Sequence, residues 1–367
     1  MEADPSFGAL LVEMEAPDMF IEQENQNPNI EGRGAWVIKG KASTMEHLKV
    51  LFRQEGAGYA PCEDYLARLE SNAQANQADR VSDAWRRKLC EWCYEVVDHF
   101  GFDREVVSIA LSFLDRTVAI KAQDPSSPIT RRRFQLLAVT SLYMAIKIHG
   151  ENESPNGPRR KLRISAFVEL SRGFFSVETI EACEREILND LHWKVNPPTM
   201  LRFISNFVGL MPTKIEDLRA ARRSNVDGAL TDVARYLTEL SVCVAELSFN
   251  YQPSIIAYAA MLCATEVVQQ SMDVPPEAIA TFIATLNEST GYSPSMGRVL
   301  QVKAMLQELC PSMFEGPNAM PRHFLVARDP VDVIEQDENP RGESPVSVAH
   351  TDDGSPRMRR KRSRERQ

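Results

Sequence analysis

The 367-residue chain has no run of about 20 consecutive apolar residues, so no membrane-spanning helix and no membrane partner are expected. It lacks a basic excess: 42 Lys and Arg stand against 51 Asp and Glu, a net charge of -9. Phosphate contacts need clustered cations, so the body of the protein is not expected to bind nucleic acid directly. Cysteine is sparse at seven residues, and Cys90 and Cys93 form the only CxxC. A structural zinc site needs a second pair, so these two read as ordinary helix residues and no metal is expected. The opening MEADPSFGALLVEMEAPDMF carries acids where a signal peptide needs a basic segment, which places the chain in the nucleus and cytoplasm with its cysteines reduced.

Catalytic signatures are missing as well. HExxH, GxSxG and HRDxxxxN do not occur, and the six histidines lie far apart. The segment GAWVIKGKA at 34–42 is one residue too long for a phosphate loop and has no Ser or Thr after its lysine. Glu184 and Glu186 suggest an acid–base pair, but residues two apart on a helix do not face each other. No catalytic residue, cofactor or enzymatic activity is expected.

What is present is helix after helix. Trp85, Leu89, Trp92, Val96 and Phe100 recur at steps of four and three, an apolar stripe. A second segment covers about 104–121, and FQLLAVTSLYMAIKI, apolar almost all round, marks a buried third. A short segment at about 165–171 and a longer one at about 177–192, capped by Ser176, follow. Pro197 and Pro198 break the chain. Thr199 caps MLRFISNFVGL, DVARYLTELSVCVAEL reads as one helix, and Pro253 opens SIIAYAAMLCATEVVQQ, again apolar nearly all round. Segments at about 276–287 and 294–309 complete the set, and no stretch alternates at period two, so a sheet is not expected. The pattern predicts an all-α fold, a tandem pair of helical bundles at 61–198 and 199–312, each packed around its third helix. Residues 1–60 read as a mostly disordered tail without periodicity. Residues 313–367 read as a disordered acidic Pro/Ser tail whose last eleven residues turn basic.

Four charged residues interrupt this pattern. Lys147 ends an apolar run, where it either snorkels beside a helix C-terminus or is paired. Glu184 sits in the fifth segment, where a solvated face is the simple account. Asp115 and Arg116 close the second helix as a candidate internal pair.

The stretches WRRKLCEWCYEVVDHFGFDREVVSIALSFLDR, FQLLAVTSLYMAIKI and CEREILNDLHWKVNPPT resemble the first box of a cyclin. ARYLTELSVCVAELSFNYQPSIIAYAAMLCATE, with Gly291-Tyr292-Ser293, is similar to a cyclin second box, and DYLARLE at 64–70 to the short helix before the first. The likeness covers about 62–312. It implies two five-helix domains in tandem, and a regulatory subunit that binds and activates a cyclin-dependent Ser/Thr protein kinase in cell-cycle control. It implies kinase contacts at Lys147 and Glu184, a structural pair at Asp115 and Arg116, and a shallow apolar patch for substrates and inhibitors at Trp85, Leu89, Trp92, Glu95 and Gln135. Lys88 departs from the usual apolar residue within that patch, and Trp85 reads equally as core. The likeness also brings in the ubiquitin machinery, although RxxL is absent from the first 80 residues, which points away from mitotic types. Arg357, Arg359, Arg360, Lys361, Arg362 and Arg364 read as a nuclear import signal, and Ser344 and Ser355, each before proline, as phosphorylation sites. Other readings are a cyclin-fold transcription protein and a helical scaffold that acts without a kinase.

Overall fold

The computed structural model describes residues 21–23, 41–71, 81–124, 129–150, 160–211, 220–272 and 274–314. Among them are thirteen α-helices: α1 Lys41–Gly58, α2 Tyr65–Ser71, α3 Asp83–Phe100, α4 Glu105–Lys121, α5 Arg131–His149, α6 Ile164–Leu170, α7 Val177–Asp190, α8 Met200–Val208, α9 Ala220–Val242, α10 Ala245–Asn250, α11 Pro253–Ser271, α12 Pro276–Thr290 and α13 Gly297–Leu309. Two three-residue strands, β1 Ile21–Gln23 and β2 Arg160–Leu162, pair antiparallel with Ile21 opposite Leu162. They add a short ladder to a fold that is otherwise helical.

Local chemistry sets the helix ends. The side chains of Thr130, Ser176 and Thr199 accept from the amides of Arg133, Thr179 and Arg202 at the starts of α5, α7 and α8, meeting donors with no partner in the first turn. Pro253 opens α11, where a missing N–H costs nothing. Gly101 ends α3 at φ 68°, a left-handed conformation that a side chain would oppose.

Two apolar cores result. The first surrounds α5, whose Leu137, Val139, Leu142, Met144 and Ala145 are fully enclosed by α2, α3, α4, α6 and α7. The second surrounds α11, whose Ala257–Met261 run is wholly buried among α8, α9, α12 and α13. The chain crosses between them. Val242, Ala245 and Phe249, from the second half, pack in the first core.

Leu48 and Leu51 of α1 pack in the second core, and this helix lies in the stretch read as a tail. Its apolar stripe is only Met45, Leu48, Leu51 and Phe52, and the next position on that face is Glu55, 2% exposed. Glu55 accepts from the Ser254 amide at 2.9 Å and the Ser254 hydroxyl at 2.6 Å. A carboxylate at the start of α11 favours the helix dipole and breaks the stripe that would have revealed α1. The Glu55 carboxyl is pushed up by burial, against the two Ser254 hydrogen bonds.

DVARYLTELSVCVAEL is likewise two helices rather than one, because the Val242 carbonyl accepts from Arg86 Nη1 at 3.0 Å. In an unbroken helix that carbonyl would accept from the amide four residues on. The cation takes its place, and Cys243 and Val244 turn the chain into α10.

Candidate functional site

Lys147 and Glu184 meet at the surface of the first bundle. Lys147 stands in the last turn of α5, and its Nζ lies 2.9 Å and 3.2 Å from the two carboxylate oxygens of Glu184 on α7. The same Nζ lies 5.4 Å from the Tyr143 ring centre, one turn earlier. Burial alone would lower the Lys147 pKa, but the hydrogen bond and charge of Glu184 raise it overall. Lys147 remains half exposed while Glu184 is mostly covered, so the pair presents a fixed cation over an acid. The neighbouring acid Glu186 turns away to Arg133 and Lys121, and Lys121 also holds Asp190 at 2.8 Å, tying α4, α5 and α7 together. Glu184 and Glu186 therefore serve different partners.

Large apolar side chains are exposed at the end of α5 and in the turn after α7. Ile148, beside Lys147, is 43% exposed, and Trp193 is 70% exposed. His192 and Trp193 both hold positive φ, 49° and 60°, uncommon for bulky residues. The turn is kept by the His192 amide on the Asn189 carbonyl and the Trp193 amide on the Leu188 carbonyl. Its far end is fixed by His149 Nε2, 2.7 Å from the Val195 carbonyl, and burial lowers the His149 pKa. Two strained residues thus hold an indole in solvent at the corner where α5 ends, an arrangement suited to a binding face.

Asp115 and Arg116 do not form a pair. Adjacent helix residues point about 100° apart, and Asp115 faces inward to Arg86, with Nη2 at 2.6 Å and Nε at 3.0 Å, and to the Tyr65 hydroxyl at 2.8 Å. Arg86 is fully enclosed and also donates to Ser248 Oγ at 3.1 Å. Burial alone would lower its pKa, but the Asp115 charge and hydrogen bonds raise it overall. Arg116 instead donates to the Lys194 carbonyl at 3.0 Å and stacks 4.8 Å from the Tyr59 ring centre. Sequence reasoning missed Arg86. Its signal was a cation in register with Leu89, Cys90 and Cys93 on one apolar stripe.

The patch on α3 also differs from expectation. Leu89 at 1% and Trp92 at 3% exposure belong to the core, while Trp85, Glu95 and Gln135 reach the surface. The Trp85 ring is flanked by Arg131 at 4.9 Å and Lys88 at 6.0 Å. Two cations over the Trp85 ring leave no open apolar patch there. Burial and Glu91 push the Glu95 carboxyl up.

Among the described residues no group of three or more His, Cys, Asp or Glu is placed to hold a metal ion. A cavity of about 110 Å³ lies at the seam of the bundles, lined by Tyr59, Cys62, Ser112, Thr199 and Tyr251. It is smaller than the roughly 300 Å³ at which ligand pockets begin. No described helix is long and apolar enough to cross a membrane. Ser344, Ser355 and the basic positions Arg357, Arg359, Arg360, Lys361, Arg362 and Arg364 lie outside the described residues.

The family model for the cyclin N-terminal domain matches residues 59–196, and that for the cyclin C-terminal domain matches residues 198–319. The chain belongs to the cyclin family. This cyclin is 25% identical over 219 residues to Cyclin-B1-1 of Arabidopsis thaliana, covering 60% of the chain and 43% of the relative. It is 23% identical over 263 residues to G2/mitotic-specific cyclin-B2 of Rana japonica, covering 69% and 58%. The chain spans about half the length of the curated relatives it matches. Among solved structures, a viral cyclin from herpesvirus saimiri aligns with a TM-score of 0.43 at 17% identity, covering 62% of the chain and 87% of the viral one. The relatives' mitotic names run opposite to the direction in which the missing RxxL pointed.

Proposed function

We propose that this cyclin is the non-catalytic activating subunit of a cyclin-dependent Ser/Thr protein kinase. The corner formed by Lys147, Glu184, Ile148 and Trp193 receives the kinase αC helix. The observation that carries this reading is the pre-formed Lys147–Glu184 pair at the end of α5, together with an indole held 70% exposed by a strained turn that His149 ties to the same helix. A kinase is active when its αC glutamate pairs with the strand lysine that holds the nucleotide phosphates, and αC position governs that pair. A rigid surface that binds αC better in its inward position shifts the kinase toward the active state, by as much as the two affinities differ. Trp193 and Ile148 supply the affinity, and the charge pair fixes register. Presence in nucleus and cytoplasm, with import through the basic C-terminal segment, belongs to the same proposal.

The test is capture of kinase by the full-length chain, scored for bound kinase and for histone phosphorylation. Wild type is compared with Trp193→Ala and with Lys147→Ala/Glu184→Ala, each verified as helical by circular dichroism. Trp193→Ala should weaken binding by about 30-fold, the effect of losing an anchor worth about 2 kcal/mol. The double variant should lose histone phosphorylation. Equal capture and equal phosphorylation by all three would remove this corner as the kinase face.

A further inference from the structure

The seam between the two boxes carries a pair of thiols. Cys90, buried on α3, and Cys243, partly exposed at the break between α9 and α10, are 153 residues apart in sequence with Sγ atoms 3.1 Å apart. Their approach is held from both sides. Arg86, one turn before Cys90, binds the carbonyl of Val242, the residue before Cys243. That bond ends α9 and presents Cys243 to α3. A disulfide has its sulfurs about 2.05 Å apart, so closure needs roughly 1 Å of movement at a site where one of the two cysteines is partly exposed.

We propose that Cys90 and Cys243 form a redox-responsive pair that closes to a disulfide across the two boxes when the protein meets a hydroperoxide. The two sulfurs have different roles. Cys243 is reachable, and its pKa is lowered by the hydrogen bond to Cys90, with help from Arg86 and Arg87 against burial and Glu91. Burial raises the pKa of Cys90, which stays a thiol. The Cys243 thiolate attacks one oxygen of hydrogen peroxide and the O–O bond breaks. Cys243 becomes a sulfenic acid, and the departing hydroxide takes a proton to leave as water. The Cys90 sulfur then attacks the Cys243 sulfur, the S–O bond breaks, and the Cys90 proton leaves with that hydroxide as a second water. Two thiols lose two electrons and one peroxide is reduced to two waters. The link encloses α4 to α9 in one covalent loop and fixes the boxes to each other, and a dithiol reductant reverses it.

The experiment treats the folded full-length protein with graded hydrogen peroxide and then blocks the remaining thiols with a maleimide in denaturant. Non-reducing proteolysis and mass spectrometry then locate the links, with circular dichroism showing that the chain stays folded. Two of the seven thiols should become unreactive, with one linked peptide joining Cys90 to Cys243. The thermal midpoint should rise by several degrees, and dithiothreitol should return both readings. Cys243→Ser should abolish the link and Cys93→Ala should keep it. If Cys90→Ala unfolds the chain, the wild-type peptide map still decides. The proposal is overturned by Cys243 reaching sulfinic acid unlinked, by a link running instead to Cys93, by seven thiols remaining reactive, or by linkage appearing only as helicity is lost.

Discussion

Arg86–Asp115 and Lys147–Glu184 are ion pairs of similar length, 2.6 Å and 2.9 Å, in opposite surroundings. The first has 0% and 7% side-chain exposure, the second 49% and 15%. Enclosed Arg86 answers four groups at once: Asp115, the Val242 carbonyl, Ser248 and the face of Phe249 at 5.4 Å. It joins α3, α4 and the α9–α10 break, so its work is internal. Lys147 makes one ion pair, above one ring, on a surface other molecules can reach. The contrast teaches that a charge within an apolar stripe announces a paired site but not its use. Exposure decides whether the pair holds the fold or is available for recognition.

The sharpest break of this contrast is Arg86→Ala. It strands Asp115 in the interior and frees the Val242 carbonyl, and should cost about 3–5 kcal/mol in urea unfolding. Arg86→Met with Asp115→Leu should recover part of that loss, since no uncompensated charge is left. A full loss in the double variant would mean that the Val242 and Ser248 bonds matter more than the ion pair.

Glu55 sharpens the contrast from another side, being a buried acid whose two described bonds come from Ser254 rather than from a cation. Its folded pKa is raised by burial, so the folded state holds the proton more tightly than the unfolded chain. That contribution is fully present below the ordinary value near 4.5 and is lost as pH rises through the raised one. Glu55→Gln keeps an acceptor for the Ser254 amide and should flatten stability across this window, by about 1 kcal/mol. An unchanged slope of unfolding midpoint against pH would assign the dependence to other groups. The smallest effect is expected from Lys147→Ala/Glu184→Ala, under about 1 kcal/mol in the same unfolding assay. A larger loss would make this pair a structural one, and the two sites would cease to differ in kind.

The sequence disclosed most of the helices because each bundle is arranged around an element that is apolar on nearly every side. α5 and α11 stand out without knowledge of their neighbours. Ser176, Thr199 and Pro253 were legible because capping is local chemistry. The short elements were not. α1 shows an inward stripe of only four apolar residues and then an acid, and its burial depends on α8 and α11, far along the chain. The α9–α10 break depends on Arg86, which no window around residue 242 contains. Family likeness implied only that Lys147 and Glu184 both contact a kinase; their meeting was not anticipated, since spacing cannot show that the end of α5 reaches α7. Trp193 was missed because its exposure comes from a backbone turn, not from periodicity. Arg86 was passed over for Arg116, which stands beside Asp115 in sequence but on another side of α4.

The placement of α1 has a consequence for synthesis. Glu55 and Ser254 lie 199 residues apart, and at 5–20 residues per second the ribosome needs roughly 10–40 s to travel from one to the other. Throughout that interval the first box can gather its own helices but still lacks Val242, Ala245 and Phe249, while Leu48, Leu51 and Phe52 lack the partners they have in the second core. The first of the described helices to be made is therefore among the last to find its seat, and its apolar face is open to chaperones for as long as the second box is unfinished.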